Sequence, residues 1–191
     1  MVCSIPQARD RGTMVEKFIE VAKHCYDLKN FNTMTAILSG LSYSAVKRLK
    51  GSWVYVREKA YTQFMRLEKV MDPANNSSNY RTVLARVSRK EPCIPFFGVY
   101  LKDFVFLNDG HPTRLSNGLI NFTKLRTICM KIEELSRYQY SRYSCPKDKH
   151  LHRLCFDLHS LSEAELYEKS LEVEPKEAST LQRCNSRSTV E

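Results

Sequence analysis

Long apolar runs are absent from this sequence. A helix that crosses a bilayer needs roughly 20 consecutive, mostly apolar residues, and no uncharged apolar run in the 191-residue chain comes close to that length. The opening stretch, MVCSIPQARDRG, also lacks the apolar centre of a secretory signal. These absences predict a protein of the cytoplasm or nucleus. They leave open its recruitment to the inner face of a membrane.

Closely spaced cysteine pairs are absent as well. The seven cysteines are odd in number and scattered, and no two of them form a CxxC motif. Such a set is typical of reduced thiols and not of a disulfide framework.

The segment CPKDKHLHRLCFDLH is the strongest candidate for a metal site. It contains potential zinc ligands at Cys145, His150, His152, Cys155 and His159. Zinc takes four such ligands in tetrahedral geometry, and Cys155 and His159 would share one helical face. The short C-x₂₋₄-C spacing of common structural zinc sites is missing, however, and Cys155 also fits the apolar face of a short helix. We therefore predict no metal ion and keep zinc binding as the alternative.

Motifs for covalent chemistry are missing too. The patterns GxxxxGK[ST], GxGxxG, HExxH and GxSxG do not occur. The chain therefore has no recognisable nucleotide-binding loop or hydrolase nucleophile, and we predict no cofactor. A lone cysteine with a distant histidine could form a nucleophilic pair, but spacing alone does not distinguish that pair from structural cysteines.

Positive charge is in excess, with 30 lysines and arginines against 21 aspartates and glutamates. Such an excess can favour binding to nucleic acid, an anionic lipid surface or an acidic protein. The basic residues are spread along the whole chain, and the densest group is only KRLK at 47–50. We therefore expect a solvated basic surface and no nucleic-acid partner.

Helical periodicity dominates what is present, and no segment shows the strict alternation of a strand. Apolar residues at helical spacing predict helices at about 13–29, 31–41, 44–49 and 60–71. The first should begin at a capping box formed by Thr13 and Glu16, and Asp72-Pro73 should end the fourth. The polar run NNSSN at 75–79 is typical of a loop that caps the next helix.

The second half of the chain predicts three further helices. Apolar residues from Phe96 to Gly110 predict one whose turn Phe104–Leu107 is apolar on every side, which requires cover on every side. Leu125–Leu135 carries the cleanest helical stripe. Ser162 and Glu165 form a capping box for the last helix, which should run until Pro175.

These patterns predict an all-α architecture of about eight helices in a single domain. We separately expect the protein to be a monomer. The final stretch at 176–191 is polar and rich in serine and threonine, so we predict a disordered tail there.

Five segments occur in one order along the chain: KFIEVAKHCYDLKNFNTMTAILSGLSYSAVKRLKGSW, MDPANNSSNYRTVL, PCIPFFGVYLKDFVFLNDG, NGLINFTKL and LSEAELYEKSLEVEP. In this order they closely resemble the catalytic domain of guanine nucleotide exchange factors for Ras-family small GTPases, the family of Son of sevenless. The resemblance divides the chain into an N-terminal extension (1–10), an N-terminally truncated catalytic domain (11–175) and the tail (176–191).

The resemblance implies an all-helical fold with a hairpin that projects from the body and opens the nucleotide site of the GTPase. Phe96–Gly110 matches the first arm of that hairpin, and Asn121–Tyr138 matches the second. Val105 and Asp109 match the positions that enter the GTPase site, and their spacing of four places them on one helical face.

The resemblance also suggests a wider binding surface. Phe96 would anchor the base of the hairpin, and the expected partner-binding residues are Phe96, Tyr100, Leu101, Asn79, Tyr80 and Arg81. Asn30 and Asn32 are further candidates. For the aromatic residues the alternative is a place in the hairpin core, and for the polar ones it is a helix cap or loop hydrogen bond.

The implied function is GDP release from Ras, Rap or Ral without covalent chemistry. The alternative is a non-catalytic module that binds a GTPase or scaffold. Two departures from the family favour that alternative. The residue at 109 is Asp where some relatives have the longer Glu, and the family domain has further helices before the segment that matches Arg11, often with a separate module that braces the hairpin.

Overall fold

The computed structural model describes residues 1–158 and 160–175, and the part it describes is helical without a strand. The α-helices are α1 (Ala8–Asp27), α2 (Phe31–Ser42), α3 (Ser44–Lys47), α4 (Lys50–Trp53), α5 (Glu58–Val70), α6 (Ala74–Ala85), α7 (Phe97–Gly110), α8 (Phe122–Ser136), α9 (Lys149–Phe156) and α10 (Glu163–Val173). Short 3-10 turns lie at Val2–Ser4 and Arg137–Gln139. The prediction of an all-α fold is confirmed.

The core lies where α1, α2 and α5 pack together. Each helix contributes one stripe of buried apolar side chains at helical spacing, because one face of each is turned inward. These residues are Val15, Ile19 and Ala22 of α1, Met34, Leu38 and Leu41 of α2, and Phe64 and Leu67 of α5. Full burial of a large apolar side chain contributes about 1.5–3 kcal/mol relative to leaving it exposed.

A buried arginine joins the two ends of the described chain. Arg11 is 2% exposed, and its guanidinium donates to Ser52 Oγ at 2.7 Å and to the carbonyl oxygens of Ile5 and Pro6 at 2.9 and 2.7 Å. Its Nη2 lies 3.6 Å from Oε2 of Glu174, just after α10. Burial of a charge is costly unless it is paired and hydrogen-bonded, and these contacts supply that compensation. The 3-10 turn at Val2–Ser4 also packs on α10, so these first residues belong to the helical body.

The predicted start of the first helix was wrong. Helix α1 begins at Ala8, and Thr13 Oγ1 donates back to the Arg9 carbonyl oxygen instead of capping. Glu16 accepts from the backbone and guanidinium of Arg57 and so is engaged with another part of the chain. Local spacing mimicked a capping box, but tertiary contacts use both side chains differently.

Two other local predictions are corrected in part. The expected helix at 44–49 is shorter, because α3 ends at Lys47 and Leu49, with φ −73° and ψ 63°, lies outside the helical region and separates it from α4. The expected loop at 75–79 lies within α6, but Asn75, Asn76 and Ser77 have φ values of 50–56° and form a left-handed turn. Asparagine tolerates this conformation better than most residues do.

The last helix follows its predicted signals closely. Ser162 accepts from the backbone of Glu165, and Glu165 accepts from the backbone of Ser162, so the capping box of α10 is confirmed. The helix ends at Val173, and Glu174 is extended because the following Pro175 disfavours a helical residue before it. The predicted tail at 176–191 lies outside the described residues. Across the described part of the chain, every helix is too short or too polar to cross a bilayer.

Candidate functional site

Helices α7 and α8 form an antiparallel hairpin, as predicted, with Phe96 and Asn121 as their N-cap residues. A short turn closes the tip between them, held by hydrogen bonds between the backbones of Leu115 and Leu119 and of Gly118 and Leu115. Every residue from Val105 to Thr123 is exposed except Leu107 and Asn121. The distal half of the hairpin therefore stands clear of the helical body.

Helix α7 has a covered face and an open face. Val99 and Tyr100 are buried, and Phe104 packs against the core as a partly buried residue. Val105 and Phe106 are 59% and 71% exposed. The apolar turn at Phe104–Leu107 is therefore not covered all round by this chain, and its open side is available to another molecule.

The open face carries Val105 and Asp109, the two residues that the resemblance predicted would enter a GTPase site. Leu101, Val105 and Asp109 follow one another at intervals of four and are all exposed. Each interval corresponds to about 6 Å along a helix. The face thus presents two apolar side chains and then a carboxylate towards the tip. The Asp109 carboxylate accepts a hydrogen bond from Nδ2 of Asn108 at 3.1 Å.

Tyr80 lies beneath the base of the hairpin. It is 0% exposed, and its hydroxyl accepts a 2.7 Å hydrogen bond from the backbone N–H of Phe96. Its ring meets Phe31 and Phe96 edge to face at 5.5 and 6.5 Å between centroids. Burial raises the pKa of the Tyr80 phenol above its ordinary value. Tyr80 therefore supports the N-cap residue of α7 and lies out of direct reach of a partner.

Tyr100 occupies a similar internal position. It is 2% exposed, and its hydroxyl donates to Oε1 of Glu134 on α8 at 3.3 Å. Burial raises the pKa of this phenol as well. Tyr100 therefore packs within the hairpin and is not on the surface that a partner would contact.

Arg81 is engaged by the hairpin itself. Its guanidinium donates to both carboxylate oxygens of Asp103, at 2.7 and 3.0 Å, and Lys131 of α8 approaches the same carboxylate at 3.7 Å. The contact joins α6, α7 and α8 at one point. Asn79 is exposed beside it, and its Nδ2 donates to the Lys69 carbonyl oxygen.

Phe96 is half-buried and packs against the core, as an anchor of the hairpin base would. Its ring crosses Gly98 so closely that a Cβ at that position would lie 2.5 Å from a ring atom. Leu101, one turn further along, is 60% exposed. Asn30 caps α2 through the backbone N–H of Thr33, and Asn32 is exposed.

Sequence reasoning missed two polar residues that support this site, Asp103 and Lys124. Asp103 anchors Arg81, whereas Lys124 is buried at the tip. Lys124 carried a usable signal. It stands three residues after the N-cap Asn121, where a capping box has Glu or Gln, and a cation there requires another explanation.

The described members of the candidate zinc cluster are exposed and do not form a site. Cys145, His150, His152 and Cys155 all lie in solvent, and His152 instead stacks on Phe156 with 4.6 Å between ring centroids. No group of three potential ligands converges within the described residues. His159 lies outside them.

Comparison with known proteins decides the family. The family model for the RasGEF domain matches residues 1–126, about two-thirds of the chain, including all of α7. This chain belongs to the RasGEF domain family. The resemblance drawn from the sequence motifs is therefore confirmed, and the match also includes residues 1–10.

Individual RasGEF relatives agree with this assignment. Human Ras-GEF domain-containing family member 1B is 35% identical over 185 residues, which is 92% of this chain and 38% of that protein. A Rap guanine nucleotide exchange factor of Caenorhabditis elegans is 39% identical over 142 residues, 74% of this chain and 10% of the relative. Ras guanine nucleotide exchange factor Y of Dictyostelium discoideum is 38% identical over 165 residues, 86% of this chain and 11% of the relative. The chain thus spans well under half of each relative's length.

Proposed function

We propose that this chain is a guanine nucleotide exchange factor that releases GDP from a Ras-family small GTPase. The observation that carries the proposal is the exposed face of α7, on which Val105 and Asp109 lie one turn apart in the exposed half of the hairpin. Membership of the RasGEF family and the names of the relatives support the same role. The candidate GTPases are Ras, Rap and Ral.

The proposed mechanism requires no covalent step. A GTPase holds GDP through backbone amides and a lysine around the phosphates, and through a magnesium ion. The apolar side chain of Val105 would occupy space near the magnesium position and offer it no ligand. The Asp109 carboxylate would accept hydrogen bonds from groups that had held the phosphate. Binding of the exchange factor to the GTPase and binding of the nucleotide to the GTPase are coupled. An exchange factor that favours the open GTPase therefore weakens nucleotide binding by the same free energy.

Among the other predicted partner-binding residues, we propose direct contact with the GTPase only for those that are exposed to solvent. Leu101 would extend the apolar contact below Val105, and Asn79 would lie at the edge of the surface. Phe96 and Arg81 would act mainly by holding the base of the hairpin, as Tyr80 and Tyr100 do from inside. We also propose that the protein works as a monomer in the cytoplasm, with membrane recruitment to be tested by co-sedimentation with vesicles.

Release of a fluorescent GDP analogue from Ras, Rap and Ral tests the proposal. The chain should accelerate release from at least one of them, and Val105→Glu and Asp109→Ala should each reduce the acceleration. Val54→Glu is the control for Val105→Glu, because Val54 is an apolar residue outside the hairpin that is 80% exposed at the C-cap of α4. GTPase binding without acceleration would reject exchange for this chain and favour the non-catalytic binding module. Equal rates for Val105→Glu and the parent would reject the residue assignment.

A further inference from the structure

The side-chain amino group of Lys124 is enclosed at the tip of the hairpin. Lys124 is 5% exposed, although its neighbours on both sides are open to solvent. Its Nζ donates to the carbonyl oxygens of Asn108 and His111 at 2.9 and 2.7 Å, and to Thr113 Oγ1 at 3.1 Å. Oδ1 of Asn108 lies at 3.4 Å. An ammonium group has three protons to donate, so these oxygens satisfy it.

These acceptors belong to the end of α7 and the first residues after it. The last carbonyl groups of a helix have no partner within the helix, and a cation is favoured there by the helix dipole. Lys124 supplies both a hydrogen-bond donor and a positive charge to the end of α7. It does so from the first turn of α8, where its backbone N–H donates to Oδ1 of Asn121 at 3.1 Å. In the described part of the chain no carboxylate lies within ion-pair distance of Lys124, so it is not one half of a salt bridge.

The contacts of Lys124 continue to Asp109. Asn108 places its amide oxygen towards Lys124 and its amide nitrogen towards the Asp109 carboxylate, to which it donates at 3.1 Å. Lys124 also holds the main-chain carbonyl groups on either side of Asp109, at residues 108 and 111. The orientation of the exposed carboxylate therefore depends on a buried cation on the opposite arm.

We propose that Lys124 is a positioning residue for exchange, which acts on the GTPase through Asn108 and Asp109 without touching it. The proposal rests on the proposed function and assigns a role that Val105 and Asp109 alone do not explain. Displacement of a reacting group by about 1 Å can cost as much as a hundredfold in rate. Loss of the Lys124 contacts should therefore lower the maximal rate of GDP release more than it weakens GTPase binding.

Kinetics of the full chain test this proposal. Lys124→Met should lower the rate at saturating exchange factor by about tenfold or more, with the half-saturating concentration changed much less. Lys124→Arg keeps the charge and should restore part of the rate. Asn108→Ala changes an exposed side chain, so it should keep the fold and still reproduce the loss. The matched control is Lys149→Met, an exposed lysine on α9, which should exchange like the parent.

A double-mutant comparison identifies the route of the effect. If Lys124 acts through Asp109, Asp109→Ala should add little to the loss already caused by Lys124→Met or Asn108→Ala, because the contributions of one connected network are not additive. Fully additive losses, or an Asn108→Ala variant as fast as the parent, would overturn the proposal.

Hydrogen exchange separates failure of this proposal from failure of the proposed function. In the free chain, the amides at 109–111 and 113 should exchange faster in Lys124→Met than in the parent and in Lys149→Met. Unchanged protection would overturn the positioning role whether or not the parent accelerates GDP release. A parent that releases no GDP while Lys124→Met still loses protection would overturn the exchange function alone.

Discussion

Arg81 and Asp103 form a bidentate ion pair across the base of the hairpin, with donor–acceptor distances of 2.7 and 3.0 Å. Their side chains are 29% and 16% exposed, so solvent screens the pair only in part. A bidentate arginine–carboxylate contact fixes orientation as well as distance. The pair therefore ties α7 to α6 and helps to fix the direction in which the open face of the hairpin points.

Asp103→Asn should measurably destabilise the protein. The change keeps the size of the side chain but removes its charge, so Arg81 remains a partly buried cation with weaker acceptors. We expect the free energy of unfolding to fall by about 1–3 kcal/mol, as measured by urea denaturation. A double-mutant cycle with Arg81→Met should show coupling between the two residues.

The pair Arg153–Asp157 provides the control for that cycle. It makes a single contact of 3.3 Å between Arg153 Nε and Asp157 Oδ2, and its side chains are 85% and 66% exposed. Exposed pairs contribute little, so the coupling between Arg153→Met and Asp157→Asn should be near zero. A coupling at Arg81–Asp103 no larger than this one would contradict the role given to the pair.

Tyr80→Phe isolates one buried hydrogen bond at the base of the hairpin. The ring keeps its edge-to-face contacts, but the backbone N–H of Phe96 loses its acceptor. An unsatisfied buried donor costs about 1–3 kcal/mol, and we expect a loss of stability in that range. The Phe96 amide should also exchange its hydrogen faster. Tyr140→Phe, at a tyrosine that is 83% exposed, is the control. Equal stability of the two variants would disprove the importance of this hydrogen bond.

The sequence was sufficient for features that depend on neighbouring residues. Helical class follows from periodicity, and the placement of Val105 and Asp109 on one face follows from their spacing of four. The capping box at Ser162 is likewise local, and it formed as predicted.

Features that depend on the packing of distant segments could not be read in this way. Arg81 and Asp103 are 22 positions apart and meet only because α6 packs beside α7. Tyr80 and Tyr100 are likewise buried among distant residues, Phe31 and Glu134 respectively, and aromatic residues fit a surface and an interior equally well. Thr13 and Glu16 show the reverse error, since a correct local spacing was overridden by contacts of Glu16 with Arg57.

Gly12→Ala and Gly40→Ala should have opposite effects on stability. A Cβ at Gly12 would lie 2.7 Å from Tyr55 Cβ and 2.8 Å from the Ser52 carbonyl oxygen, a backbone atom that cannot turn aside. Such overpacking should cost about 1–3 kcal/mol. A Cβ at Gly40 would meet nothing within 4 Å, so alanine should stabilise α2 by about 0.5–1 kcal/mol. Thermal unfolding of both variants checks the two signs. A stabilised Gly12→Ala variant would contradict the close contact between α1 and the segment after α4.

Cys93 should make the stability of the protein depend on pH in the alkaline range. The residue is 4% exposed, and burial raises the pKa of its thiol from 9.0 to about 11. The folded state therefore retains the proton more strongly than the unfolded state does. This contribution to stability is complete below pH 9, where both states are protonated, and it is lost as the pH rises from 9 towards 11.

Comparison of the parent with Cys93→Ala isolates this contribution. Alanine leaves a small cavity and should destabilise the protein at neutral pH, but it removes the titrating thiol. Urea denaturation at about pH 7.5, 9 and 10.5 should therefore show the stability difference shrinking as the pH rises. Cys93→Val, which also lacks a thiol but fills more space, should show the same trend from a different starting value. A difference that stays constant up to the highest pH would mean that the thiol ionises equally readily in both states, which would contradict its burial in the folded protein.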